Sequence, residues 1–354
     1  MNAFLQAVEY RLANKETEEA VLKEIASDAP ISATLYSLYS QTLRKAIDDV
    51  FEPGNELADR LRANVTRFSA YKAYHATSLA RKAEEPKGVL QRFNRYLAAE
   101  YNTTAIRAHR AADWQQFEAE RDVLPNLEWM PSTSINPGED HRTFWGTTLP
   151  IDDPFWEEHC PGDRWNCKCH LRNTDKEPTD RPTSDNPCDL RHDGLEGNPA
   201  HTGEVFSDNA NYIRTLNRSD VNIGQKIVKF YRDNLRSKYE TTSINIDTDF
   251  GYILIDNITI QEITKGAKTE KSFFYKQEIV QNIEHYIKQM VLIDGHETID
   301  LSHNNHRSIY YQRKKLFTHM EVYRLDIGVY SYCIKFGVFR NEEKNLYCIT
   351  EPDW

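Results

Sequence analysis

Between Asn136 and Arg172 the chain concentrates three cysteines (Cys160, Cys167, Cys169), three histidines (His141, His159, His170) and three tryptophans (Trp145, Trp156, Trp165). Thiols and imidazoles at short spacing are the donors of a closed structural zinc site, which takes about four N or S ligands. Cys160-x6-Cys167-x-Cys169 supplies three thiols, and His141, His159, His170 or Cys188 is available to complete the set. The candidate ligands are His141, Cys160, Cys167, Cys169 and His170, with structural zinc as the implied cofactor. The alternative is a mini-core in which the thiols line the three tryptophans. Catalytic zinc is disfavoured, because neither H-E-x-x-H nor H-x-E with C-x-x-C occurs. A nucleophilic cysteine needs a base beside it, and nothing in the spacing places one there.

A second chemical stock lies at residues 303–324. Metal-free RNA cleavage needs a general base, a general acid and cations at the phosphate. His303, His306, Arg307, His319, Tyr323 and Arg324 are the candidates, with Lys314 and Lys315 nearby. A solvated basic hairpin beside ordinary surface histidines accounts for the same residues. No G-x-x-x-x-G-K-[ST] loop is present, which argues against a nucleotide-driven motor.

These residues need elements to position them. Residues 1–130 read as helix. Leu5, Val8, Leu12, Val21 and Ile25 keep helical spacing, as do Leu35, Leu38, Leu43, Ile47 and Val50, then Leu57, Leu61, Val65 and Phe68. The strongest helix follows Pro86-Lys-Gly, with Leu90, Phe93, Leu97, Tyr101, Ala105, Ala108 and Ala112 on one face, and runs to about Glu120. Residues 131–172 form a short irregular Cys/His/Trp module. It has two turn signals, Asn-Pro-Gly and Cys-Pro-Gly, and little strand or helix periodicity. It is expected to be held by a metal, an aromatic core or a partner rather than by a backbone ladder. Asp152 and Asp153 can cap a turn under which Phe155 and Trp156 are buried.

Residues 173–220, with Pro178, Pro182, Pro187 and Pro199, read as a Pro-rich linker. Residues 221–354 read as a small α+β domain with an antiparallel sheet. A helix from Val221 to Arg236 precedes strands near Ser243–Ile246, Tyr252–Ile255 and Ile258–Ile263. A helix over Ser272–Val291 precedes strands at Glu321–Ile327, Tyr330–Phe339 and Leu346–Thr350. The fold class is α+β multidomain.

The chain has 354 residues and a net charge of -10, with 39% hydrophobic residues and a mean hydropathy of -0.70. From Val221 onward 18 Lys and Arg balance 18 Asp and Glu, so the acidic excess lies entirely in residues 1–220. An acidic face does not attract phosphate backbones; it suits protein partners or solubility. The chain contains no run of about 18 apolar residues and its start lacks the basic and apolar regions of a secretory signal, so no membrane partner is expected. Clustered cysteines in such a chain read as metal ligands before disulfides, and Cys333 and Cys348 read as buried free thiols.

Several segments occur in a telling order: FSAYKAYH (Phe68–His75), AEYNTTAIRAHRAADWQQF (Ala99–Phe117), Leu124-Pro-Asn-Leu-Glu-Trp, His141-Arg, Gly146-Thr-Thr-Leu-Pro, Asp152-Asp-Pro-Phe-Trp and Trp165-Asn-Cys-Lys-Cys. This resembles the Mu F-like head morphogenesis family of tailed phages over about Phe68 to Arg172, extending weakly to Gly194–Ser207. The chain departs from the family pattern where Pro-Pro becomes Cys-Pro-Gly, and where C-R-C becomes Cys167-Lys-Cys169. The resemblance implies a phage or prophage minor head protein acting with portal and major capsid proteins, in the host cytoplasm during assembly and then in the virion head. The region after Val221 is similar in element order to phage-associated nuclease-like domains of the barnase–EndoU–colicin–RelE group. That implies RNA as a partner. It also leaves open a rival reading, a ribonuclease toxin whose head-protein portion serves packaging or delivery.

Overall fold

The computed structural model describes residues 14–135, 139, 141–214, 222–240, 244–248, 251–265, 270–302, 309–327 and 330–350. The chain divides into two compact units, Met1–Ile223 and Gly224–Trp354.

In the first unit, helix α1 spans Lys15–Ala26, α2 Ala33–Asp48, α3 Glu56–Lys82 and α4 Pro86–Glu120. Asn14, Ser32 and Asn55 cap the first three, each side chain accepting from a backbone N–H in the first turn. Pro86 starts α4, where the missing N–H is harmless. At 35 residues α4 is about 52 Å long. Its buried stripe runs through Leu90, Phe93, Leu97, Tyr101 and Ala108, as the spacing predicts, and then through Ala111, Trp114 and Phe117, with Ala105 and Ala112 only half-buried. Helix α3 runs past the apolar positions that announced it, so that Phe68–His75 lies within it.

Residues 1–130 are not all helix. Strand β1, Asn126–Met130, is the centre of a three-stranded antiparallel sheet with β2 (Thr148–Pro150) and β3 (His170–Thr174) on either side. The Cys/His/Trp module therefore does contain a backbone ladder. Strands of three and five residues are too short to show a period of two. On this sheet pack the short helix α5 (Phe155–Glu158) and a buried core of Trp114, Phe117, Leu127, Trp129, Phe144, Leu149, Phe155, Trp156 and Leu171. Asp153 caps α5, accepting from Phe155 N–H at 2.8 Å, as the sequence suggested.

Part of the stretch read as linker is core. Leu195, Val205, Phe206, Ala210 and Ile213 are buried. Asn64 on α3 accepts from the N–H groups of Val205 (3.0 Å) and Phe206 (2.9 Å) and donates back to Phe206 O, extending a strand-like pairing from a helix side chain. Arg60 donates to Thr202 O at 2.6 Å, Arg67 pairs with Asp208 at 2.7 Å, and His75 meets Tyr212 O at 2.9 Å. Phe206 stacks on Phe68 at 3.9 Å. Tyr212 donates to Glu100 at 3.2 Å, and Glu100 also receives the buried Lys72 ammonium, which lies 4.6 Å from the Tyr39 ring. The Arg107 guanidinium on α4, fully buried, gathers the carbonyls of Leu195 (2.9 Å), Gly197 (3.0 Å) and Glu204 (3.3 Å), with that of Gly162 at 3.5 Å. A short helix α6, Pro199–Thr202, lies within this segment. Gly194, at φ +88°, has Ala210 Cα 2.6 Å from where a Cβ would stand. Beyond the exposed stretch around residues 175–187, the described part of the linker, to Arg214, is a strap bonded to α3 and α4.

The second unit opens with α7 (Asn222–Glu240) and a hairpin of β4 (Ile244–Thr248) and β5 (Gly251–Ile255). The apolar run at Ile258–Ile263 is not a strand but part of α8, Asn257–Lys265. Asp256 caps it by accepting from the N–H groups of Ile258 and Thr259, and Ile260 and Ile263 are buried on one side. The helix expected over Ser272–Val291 divides into α9 (Glu270–Gln281) and α10 (Ile283–Ile287), and Val291 already belongs to β6, Val291–Glu297. After α11 (Ile309–Lys314) come β7 (Phe317–Ile327), β8 (Tyr330–Phe339) and β9 (Lys344–Thr350). The sheet order is β4-β5-β9-β8-β7-β6. It is mixed rather than wholly antiparallel, because β9 runs parallel to β5. Cys333 and Cys348 are half-buried rather than fully buried, and neither is in a disulfide.

Arg107→Lys keeps the charge but loses the planar fork, leaving several buried carbonyls without a donor. The first unit should lose about 3 kcal/mol, read as a lower denaturant midpoint for the full-length protein. An unchanged midpoint would show that the strap does not depend on this side chain.

Candidate metal centre

The αL backbone at His141 (φ 60°) is unusual for a residue other than glycine, and it turns the ring into the module. The surroundings fix that conformation. The amide N–H donates to Cys188 O at 3.4 Å, and the ring lies 5.1 Å from Trp129 and 5.9 Å from Phe144. Asn166, also at φ 60°, donates its N–H to Thr103 Oγ1 on α4 at 3.1 Å, which seats the Trp165-Asn-Cys-Lys-Cys turn. Cys167 and Cys169, two positions apart just before β3, then face the histidine.

His141, Cys167 and Cys169 form one group, their ligand atoms all within 4.8 Å of one another and all three residues buried. His141 Nδ1 is 3.5 Å from Cys167 Sγ. A tetrahedral ion with bonds of about 2.0 Å to nitrogen and 2.3 Å to sulfur separates those two donors by roughly 3.5 Å. A sulfur hydrogen bond spans the same distance. On its other side His141 Nε2 sits 2.9 Å from Asp163 Oδ1, which is equally buried. A carboxylate behind an imidazole is the usual way a metal-bound histidine is oriented.

The electrostatics follow from this packing. Burial opposes the imidazolium, but Asp163 and Cys167 outweigh it and hold His141 up at about 10. Cys169 is lowered to about 7, chiefly by its contact with Cys167, against burial, with the indoles of Trp129 and Trp145 also favouring the thiolate. Cys169 and burial push Cys167 far above the usual thiol range. Both indole Nε1–H groups are buried with no oxygen or nitrogen acceptor, which suits donors turned toward an anionic sulfur. Two thiols, an imidazole with a carboxylate behind it and two stranded N–H donors fit a soft metal ion. The residues that would hold it are His141, Cys167 and Cys169.

The sequence named five candidates, and three converge. Cys160 is buried elsewhere beside Arg107; burial pushes its thiol up to about 12, while the guanidinium pulls the other way. His170 opens β3, half-buried near Arg110 and Asp113. Asp163 was missed, although Pro161-Gly162-Asp163 is a turn signal that fixes its position. One expectation is reversed: a base does stand beside a thiol. Cys167, His141 and Asp163 make the nucleophile–base–orienter line of a cysteine hydrolase. Their exposures of 4%, 0% and 1% leave no access for a substrate, so the line is not a hydrolytic site.

Of the second set of candidates, His303, His306 and Arg307 lie outside the described residues. The remainder do not form one cluster. His319 and Tyr323 share a face of β7, while Arg324, next along the strand, takes the other face and pairs with Asp326 at 3.1 Å. Tyr323 donates to Glu321 at 2.7 Å, Lys344 pairs with Glu321 at 2.8 Å, and His319 lies 4.5 Å from the His296 ring. Glu321, Lys344 and His296 were not anticipated. They come together only through strand pairing.

A helical bundle crowned by a small sheet with a buried Cys/His/Asp group defines a compact structural module. Its sequence relatives are viral. Residues 33–172 match the family model described as Phage Mu protein F like protein. It is 28% identical over 78 residues to protein F of Escherichia phage Mu, provisionally described as a capsid assembly protein, a match covering 22% of this chain and 18% of that one. No solved structure matches significantly.

Metal binding displaces protons from thiols, so affinity should rise with pH. Chelator competition should find the ion held at least tenfold more tightly at pH 8 than at pH 6.5, and Cys167→Ser or Cys169→Ser should abolish stoichiometric uptake. Equal uptake by the serine variants would remove the site.

Proposed function

We propose that this chain is a minor head protein of a phage or prophage, taking part in head assembly through protein–protein contacts. The observation that carries the reading is the family match over residues 33–172, which spans α2, α3 and α4 and the sheet module as far as the middle of β3. Portal and major capsid proteins are the partners, first in the host cytoplasm and then in the virion head. The acidic excess of residues 1–220 suits such contacts better than binding to nucleic acid. Among the described residues no helix is long and apolar enough to cross a membrane. Within the module the ion is zinc in a structural role: it needs no redox partner and accepts mixed sulfur and nitrogen donors. Purified particles should contain the full chain, and tagged protein should retain portal or capsid protein from an infected lysate. Absence from particles together with failure to retain either partner would discard the reading.

A second reading concerns residues 221–354, a nuclease-like domain cleaving RNA without metal. The face of β7 that carries His319, Glu321 and Tyr323, with Lys344 and His296 against it, supports it. This is a carboxylate, two imidazoles and a cation within one patch. Full-length protein should then cut RNA in the presence of chelator, and His319→Ala or Glu321→Gln should slow it at least a hundredfold. No cleavage by the wild-type chain would leave the domain without this activity.

A further inference from the structure

A closed structural zinc site has four protein ligands, and His141, Cys167 and Cys169 are three. Among the described residues no other His or Cys has a ligand atom within 4.8 Å of all three, so the side chain that completes the set must turn to reach it. His159 packs against the rings of Phe144 (4.7 Å) and Phe155 (5.1 Å). Cys160 faces Arg107 and His170 faces α4. Cys188 is different. Its carbonyl receives the His141 N–H at 3.4 Å, which sets the Cys188 backbone directly against that of a ligand residue.

The loop around Cys188 is built onto the module rather than resting there by chance. Arg164 Nη1 donates to Pro187 O at 3.0 Å and also to Leu190 O. His192 N–H donates to Asp163 O at 2.8 Å, one residue from Arg164 and on the residue that orients His141. Within the loop, Cys188 N–H donates to Asn186 Oδ1 (3.0 Å), Asp189 N–H to Asn186 O (2.9 Å), and Ser184 Oγ to the buried Asp189 carboxylate (2.6 Å). The Cys188 side chain itself is only half-buried.

We propose that Cys188 is the fourth ligand, so that the ion is held by His141 Nδ1 and three thiolates and clamps the proline-rich stretch onto the sheet module. This rests on the metal reading given above. A Cys3His set is one of the standard closed zinc sets. Turning the Cys188 side chain inward exchanges a half-exposed thiol for a metal bond; each thiol still protonated, and the His141 imidazolium at Nδ1, releases its proton to solvent as the ion binds. The ion thereby links residues far apart in the chain, a closure whose benefit grows with loop length.

Cobalt(II) titration of the full-length protein tests it, because sulfur-to-cobalt charge-transfer absorption counts thiolates. Wild type should bind one equivalent with a tetrahedral spectrum. Cys188→Ser should lose about one third of the charge-transfer intensity and bind at least tenfold more weakly, and Cys188→His should recover the affinity but not the lost intensity. Cys348→Ser, in the other unit, should match wild type. Limited proteolysis adds a reading independent of the spectrum: zinc should protect the bonds around residues 182–190 in wild type but not in Cys188→Ser. Wild-type intensity in Cys188→Ser would overturn the proposal and leave a three-ligand site standing. Failure of wild type to bind any cobalt or zinc would overturn the metal reading and this proposal together.

Discussion

A guanidinium enclosed by protein must find acceptors for its donors or cost several kcal/mol. Arg107 finds them for its two Nη groups on backbone carbonyls spread from Gly162 to Glu204, without a carboxylate partner. That choice organises the first unit. It fixes the turn after Cys160, which leads into Asp163 and the two clustered cysteines, and it fixes the strap that returns along α3. Arg60 and Asn64, one turn apart on α3, extend the same principle. Long helices here serve as racks of polar side chains that grip irregular chain through its main-chain groups.

The same polar grip explains what was legible in the sequence. The first half of the apolar stripe of α4, Leu90 to Tyr101, could be read residue by residue, because burial there is hydrophobic and periodic. The strap could not. Its anchors are Arg60, Asn64, Arg67 and Arg107, residue types that ordinarily mark a solvated helix face, and its own sequence is rich in Pro, Gly, Asn and Asp. Reading it as linker followed composition correctly and missed what those residues are bonded to.

In the module the donors were legible by type but not by geometry. Cysteines and histidines within 37 positions give a ligand shortlist, yet which three meet depends on the left-handed turn at His141 and on a ladder made of strands too short to signal themselves. In the second unit, the alternating run Tyr332–Ile334–Phe336–Val338 declared β8. Ile258–Ile263 was misjudged because isoleucines suit a strand and a buried helix face equally, and the capping Asp256 decides between them. His319, Glu321 and Tyr323 fall on one face by simple alternation, whereas Lys344 reaches them only across the sheet.

The parallel pairing of β5 with β9 has a consequence for biosynthesis. β9, the last strand among the described residues, is third in the sheet, bridging the β4–β5 hairpin and the β6–β7–β8 meander. Until it is made, the two halves have no common neighbour and the inner edges of β5 and β8 stand unpaired. The unit closes only through contacts distant in sequence, which fold slowly. Any product truncated before Lys344 lacks the strand that joins the two halves.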